Sequence, residues 1–296
     1  MSELSQVVAV LGRGLVVAGQ PVVTADDLGF TRGDGAFDAT RVVTADDGSS
    51  TVDHLERHLD RLGRSLAGLD ADFTDDDRQA WRDLIAEAVE AWTVPGEAIL
   101  KLMWTRGQES FASLPATGVA TITPITQQAL ADREGVAAVL LDRGTSIDLY
   151  RDVPWLLGGV KSLSYAINMA AKREAKRRGA TEVVFTSTEG HCLEGPNAAL
   201  LVWSNGVLST TPAGASGILH SITQTVAFEG AEAEGVPTEV RLIDPDELFA
   251  ADGVWLASSI RGTAPIVRLD GREVGVDREF TARLRRWIGF LPPQAG

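Results

Sequence analysis

One cysteine, Cys192, is all the thiol chemistry available to a chain of 296 residues. A single thiol cannot close an internal disulfide, so the fold must stand on its core, and a reducing, cytoplasmic compartment is expected. Positive charge is also short. Acids outnumber bases 41 to 27, for a formal net charge of −14. That field repels nucleic acid and anionic membrane surfaces, so neither is an expected partner. It does not exclude a small anionic substrate in a local basic pocket. No apolar run approaches the ~20 residues of a membrane span, and the start, MSELSQVVAVLGRG, lacks the basic region and apolar stretch of a signal peptide. Internal repeats and low-complexity tracts are absent. No G-x-S-x-G elbow marks a hydrolase. The four histidines, His54, His58, His191 and His220, fall in no metal-ligand spacing; His54 and His58 lie one helical turn apart without a third ligand.

What is present suits a two-domain mixed α/β protein, with an apolar share of 44% to build the cores. GLVVAGQPVVT (14–24) predicts a hairpin turned at Gly19-Gln20-Pro21, and AFDATRVVTA predicts a strand. Val52, Leu55, Leu59, Leu62, Leu66 and Leu69 form one stripe of a helix over 52–69. Thr74 followed by Asp75, Asp76 and Asp77 starts a helix that runs to about Trp92. EAILKLMWTRG and GVATITPI are strands. QQALADREG is polar enough for a link, which sets domains at 1–122 and 132–296 around a linker at 123–131. In the second half, Leu163, Ala166, Ile167, Ala170, Ala171 and Ala175 predict a helix face ending at Gly179, and Asn205-Gly206 predicts a hairpin.

Lysine is the scarcest common charge, with only Lys101, Lys161, Lys172 and Lys176. Lys172 and Lys176 sit in a charged helix tail, whereas Lys161 follows Gly158-Gly159-Val160 in apolar surroundings, as Lys101 does in AILKLMW. A desolvated lysine can lose its proton and act as nucleophile or base, which arginine cannot. Three features could belong with Lys161. Glu194 lies between apolar strand residues, where a carboxylate is either paired or functional. The turn GASGIL (214–219) offers backbone amides to an anion. Arg61 lies on a helix stripe with His54, His58 and Ser65. Each has an ordinary structural explanation: a snorkelling lysine, a plain turn, a solvated basic face. Together, an amine for an imine, an acid for a ring nitrogen and donors for a phosphate are what pyridoxal phosphate requires.

These motifs resemble the fold-type IV pyridoxal-phosphate enzymes, a family of branched-chain aminotransferases, D-amino acid aminotransferases and 4-amino-4-deoxychorismate lyases. DDLGFTRGDGAFDATRVV resembles the amino-terminal signature and HLDRL (58–62) the phosphate-arginine helix. KSLSYAIN matches the Schiff-base lysine with an asparagine seven residues on, Asn168; LEGP, GIL and DGVWLASSIRGTAPIVRLDG match in order. The resemblance implies a two-domain fold with the cofactor in the interdomain cleft, and a homodimer. It makes Lys161 and Glu194 catalytic. It gives cofactor contacts to Arg61, Tyr165, Gly217, Ile218, Leu219, Ser259 and Ile260. The chain departs from the family at Ala199, where asparagine is usual, at His220 in place of an arginine, and at Ala166 in place of the branched-chain enzymes' tyrosine.

GDGAF and LKLMWTRG resemble the lyase signatures more than the branched-chain ones. The implied reaction is elimination of pyruvate from 4-amino-4-deoxychorismate to give 4-aminobenzoate, a folate precursor. Its two carboxylates would face Arg41, Lys101, Arg106 and Arg261, each of which could equally be a structural ion pair. The alternative is an aminotransferase for D-amino or branched-chain amino acids. A non-catalytic binding protein on the same fold is a third reading, against which Lys161 and Glu194 argue.

Overall fold

The computed structural model of the protein describes residues 6–111 and 115–291. The first residues of MSELSQVVAVLGRG lie outside the described range. The chain divides into two compact units, Met1–Thr126 with Val160–Tyr165, and Gln127–Gly159 with Ala166–Gly296.

The first unit runs β1 (Val7–Val10), β2 (Gly14–Val16), α1 (Leu28–Arg32), β3 (Gly35–Thr44), β4 (Ser50–Val52), α2 (Leu55–Ala67), α3 (Asp75–Ala91), β5 (Gly96–Thr105) and β6 (Thr117–Pro124). Its sheet has the order β2-β1-β6-β5-β3-β4 and is antiparallel throughout. The first hairpin is turned at Leu11–Arg13, not at the expected Gly19-Gln20-Pro21. Gly12 and Gly14 have φ of +72° and +69° and supply that turn. Pro21 has no N–H for a ladder, and Val22–Thr24 join no strand. One face of β3, carrying Ala36, Asp38, Thr40 and Val42, is buried, and α2 packs on β3. Leu59, Leu62 and Leu66 of α2 are at most 1% exposed, so the predicted stripe is core. Each such side chain contributes about 1.5–3 kcal/mol on leaving water. Thr74 caps α3 in a reciprocal box with Asp77.

The second unit runs α4 (Gln127–Ala131), β7 (Val136–Asp142), α5 (Ala166–Arg177), β8 (Glu182–Thr186), β9 (Ala199–Ser204), β10 (Val207–Thr210), α6 (Ile222–Ala233), β11 (Thr238–Val240), α7 (Pro245–Ala250), β12 (Gly253–Ser258), β13 (Gly262–Leu269), β14 (Arg272–Glu273) and α8 (Arg278–Trp287). Its mixed sheet has the order β11-β10-β9-β12-β13-β7-β8, with β14 on β13. Alternate residues of β9 and β12 enter different cores. Leu200, Val202, Val254 and Leu256 lie in one, while Leu201 and Trp255 join Ile222, Val226, Phe280 and Leu284 in the other. The sheet is therefore covered on both faces, as its near-continuous apolar strands require. Asn205 and Gly206, at φ of +52° and +77°, turn the predicted hairpin.

The expected helix face through Leu163 is only partly realised. The helix begins at Ala166, and its buried residues are Ala171 and Ala175, while Ile167 is 70% exposed. Leu163 lies before the helix and donates its amide to the Gly35 carbonyl at 2.8 Å. Strand pairing overrides the local helical period there.

Candidate active site

Lys161 lies in a short segment laid along an otherwise open edge of β3. β4 pairs only with Val42–Thr44, and at the other end of the strand Ser162 bridges Ala36 in antiparallel register. The Lys161 carbonyl accepts the Phe37 amide at 2.9 Å. Paired residues share a sheet face, so Lys161 and Phe37 project to the same side. The Lys161 Nζ lies 4.5 Å from the centroid of the Phe37 ring and 5.6 Å from that of Tyr165. Those two rings meet edge to face at 5.2 Å. A Cβ on Gly35 would strike the Trp104 carbonyl oxygen on β5 and stand 2.6 Å from Leu163 Cδ1, so neighbours on both edges of β3 require the glycine.

The stripe of α2 faces inward. His58, Arg61 and Ser65 are 1%, 6% and 2% exposed, so a solvated basic face is ruled out for these three. Ser65 Oγ accepts the Lys161 amide at 3.2 Å. Arg61 donates from Nε and Nη2 to the two oxygens of Asp38, at 2.8 Å each, and His58 Nδ1 lies 2.7 Å from Asp38 Oδ1. Burial alone would raise the Asp38 carboxyl. The charge of Arg61, its two hydrogen bonds and the His58 bond outweigh that cost and hold the group well below the usual carboxylate range. Burial pushes the His58 imidazole down, and the Asp38 bond only partly offsets it, so His58 is neutral near pH 7. Facing an ionised carboxylate, its Nδ1 carries the proton and donates.

In the second unit, Glu194 is fixed by its backbone, with its carbonyl accepting the Phe185 amide at 2.9 Å. Its Oε2 accepts the Leu219 amide at 3.2 Å, so acid and turn are coupled. Asn168, the asparagine of KSLSYAIN, donates from its side chain to the Pro196 carbonyl in LEGP. The GASGIL turn does not open a helix directly. α6 starts at Ile222 with Ser221 as its cap. Gly217 adopts φ +69°, and a side chain there would strike the Tyr150 ring. Arg143 donates to the Ser216 carbonyl and lies over Tyr150, bracing the turn from behind. Ile218 is 5% exposed. Ser259 Oγ lies 3.3 Å from Thr223 Oγ1 in the first turn of α6, and the Ile260 carbonyl accepts from Arg133 at 3.1 Å.

The four expected carboxylate partners differ. Arg41 is 5% exposed and bound to Asp53 at 2.7 Å and Glu97 at 3.6 Å. Arg106 pairs with Asp34 at 2.7 Å. Arg261 is buried against Asp132 at 3.1 Å and against Glu182, which also holds Lys172 at 3.0 Å. Lys101 is exposed on β5 and makes no ion pair among the described residues. It lies opposite Ala39, on the sheet face that carries Phe37.

These residues fit pyridoxal phosphate. An amine lies against aromatic rings on a braced strand, an arginine is held as a fork, and a carboxylate is oriented by a glycine turn. Sequence reasoning missed Phe37, Asp38, Thr223 and Arg143. For Asp38 a signal existed, since an acid on the inward parity of a strand needs a buried cation.

A model of the family described as amino-transferase class IV matches residues 35–269. The bifunctional aminodeoxychorismate lyase / D-amino acid transaminase of Mycobacterium tuberculosis is 36% identical over 276 residues, 90% of this chain and 92% of that protein. A fold IV-transaminase from Curtobacterium pusillum superposes with a TM-score of 0.87 at 38% identity, covering 96% of this chain and 97% of its own. A hypothetical aminotransferase from Mycobacterium tuberculosis, solved in a PLP-bound form, gives a TM-score of 0.89 at 33% identity over 96% of this chain and 99% of its own. On the order of its motifs, its two-sheet α/β architecture and these matches, the chain belongs to the class IV aminotransferase family.

Proposed function

We propose that the chain is a pyridoxal-phosphate lyase that converts 4-amino-4-deoxychorismate into 4-aminobenzoate and pyruvate. The observation that carries the reading is the placement of Lys161, an amine 4.5 Å from the Phe37 ring on a backbone held by Ser65 and Phe37. When bound, pyridoxal phosphate supplies a carbonyl for an amine and a ring that accepts an electron pair. Lys161 Nζ would hold the group through that carbonyl, and as a free amine it would move the proton at the carbon bearing the substrate amine. Glu194 would hold a proton at the ring nitrogen of the bound group. Arg61 in the first unit, and Ser259 and Ile260 in the second, would hold the phosphate. Gly217 and Ile218 would shape the turn, their amides already donating to the Gly214 carbonyl at 2.8 Å and to Ser216 Oγ at 3.4 Å. Leu219 spends its amide on Glu194 and so orients the acid. Tyr165 packs against Phe37 and walls the amine.

Of the four candidates for the substrate carboxylates, Lys101 fits best. Arg41, Arg106 and Arg261 already face carboxylates of this chain, so their charge is matched. Lys101 lies exposed on the Phe37 face of the sheet.

D-amino acid transamination is the second reading, favoured by the bifunctional relative at 36% identity and the Curtobacterium transaminase at 38%. Ala166 in place of the branched-chain tyrosine speaks against branched-chain substrates. A lyase restores its cofactor in each cycle, whereas a transaminase stops after one half-reaction without a keto acid. Incubation with aminodeoxychorismate alone separates them. Many turnovers, with pyruvate and 4-aminobenzoate in equal amounts, support the lyase. One stoichiometric burst, or activity only with an amino acid and keto acid pair, overturns it. A cytoplasmic homodimer completes the reading. Ile167 and Met169, 70% and 48% exposed on α5, are apolar surface of the kind a second copy would cover, and sedimentation at micromolar concentration tests it.

A further inference from the structure

We propose that Asp38 is a positioning residue that aims the guanidinium of Arg61 at the cofactor phosphate, with His58 locking Asp38 in turn. The inference rests on the reading that Arg61 holds that phosphate, and it identifies what sets the angle of its grip.

Guanidinium is planar, and two parallel N–H bonds to one carboxylate fix both its distance and its rotation. Arg61 uses Nε and Nη2 in this way, at 2.8 Å each. Side-on pairing through that edge turns Nη1 away from Asp38. Asp38 is itself held from two further directions, by His58 Nδ1 at 2.7 Å and by the Ala39 amide at 2.7 Å. All three side chains are nearly out of water, with Asp38 at 0% exposure, so little freedom remains for the fork. Neutral His58 can brace Asp38 without adding a charge that would compete with Arg61 for it. The ion pair also cancels most of the net charge of Arg61. An anion is then recognised by directed N–H groups more than by a diffuse positive field. Aspartate suits the place because its short side chain draws the guanidinium tight against β3, and one more methylene would push the fork outward.

A merely structural ion pair would affect folding without distinguishing a phosphorylated ligand from the same ring lacking phosphate. The test therefore compares dissociation constants for pyridoxal phosphate and pyridoxal, read from the visible absorbance of the bound ring. The parent protein is set beside Asp38→Asn, Asp38→Glu and Arg61→Ala, with melting curves as the control for folding. Asp38→Asn should shrink the preference for the phosphorylated form about tenfold or more, the scale of a charged hydrogen bond, while pyridoxal binding stays nearly constant. Adding it to Arg61→Ala should cost no further preference, because both act through one fork. Should the Asn variant fail to fold, Asp38→Glu keeps the charge and moves the fork, and it should lose preference as well. A folded Asn or Glu variant with the full preference overturns the positioning role, even if Arg61→Ala shows that the arginine grips phosphate. A full preference in Arg61→Ala itself overturns the underlying reading and this one with it.

Discussion

Lys161 meets Phe37 twice: its carbonyl accepts the Phe37 amide at 2.9 Å, and its Nζ lies 4.5 Å from the centre of the Phe37 ring. The first contact fixes the backbone and the second aims the amine, so one residue of β3 determines where the amine can be. The neighbouring residue, Asp38, points to the opposite face and holds Arg61. Strand alternation thus separates the two tasks within one dipeptide.

Borohydride treatment of the cofactor-loaded protein should leave the cofactor on one peptide, that containing Lys161. Lys172 is tied to Glu182, and Lys101 and Lys176 are exposed without an aromatic cradle. Lys161→Ala should abolish turnover and labelling with a melting temperature near that of the parent. Peptide mapping decides, and label on another lysine would refute the assignment.

Glu194→Gln should slow turnover by about a hundredfold or more, the scale for removing one preorganised electrostatic group. Glutamine can still accept the Leu219 amide, so the turn should hold and cofactor affinity should change far less. Parallel kinetic and binding titrations check this. Near-parental turnover would remove Glu194 from the chemistry.

His58 makes stability fall with acid. Its folded pKa lies below the ordinary value, so on acidification the unfolded chain binds a proton near pH 6.5 that the folded chain refuses. Between that pH and the lower folded pKa, this group alone should remove about 1.4 kcal/mol of stability per pH unit. Denaturant unfolding from pH 7.5 to pH 5 should show a shallower decline in His58→Asn than in the parent. Parallel declines would mean that His58 keeps its ordinary pKa when folded.

Arg261→Ala should destabilise the protein by about 3 kcal/mol, the scale for stranding a buried charge, because Asp132 would lose its cation while Glu182 retains Lys172. KM for the substrate should not move. The midpoint of guanidinium unfolding and steady-state kinetics together read both. Unchanged stability with a raised KM would return Arg261 to the substrate.

Much of this site was legible because local rules govern it. The 3.6-residue period put His58, Arg61 and Ser65 on one stripe, Thr74 announced its helix, and Asn205-Gly206 its turn. Lys161 stood out as an isolated lysine after two glycines. What local rules could not supply was partnership. Asp38 and Arg61 are 23 positions apart, and no spacing names that pair. Leu163 fits a helix face by period, yet Gly35, far upstream, claims its amide for a sheet edge. The first hairpin was misplaced for a related reason: both turns carry glycine, and only pairing with β1 selects between them.

The segment Val160–Tyr165 belongs to the first unit although the residues on either side of it belong to the second. No single cut can therefore divide the gene into two self-sufficient halves. A fragment ending at Thr126 would leave Gly35–Phe37 with bare backbone at a sheet edge, an invitation to aggregate. The remainder would carry the lysine with no strand to receive it. On the ribosome, the first unit likewise cannot be complete until residue 165 has emerged. Lys161 is thus among the last residues of the first unit to reach its scaffold.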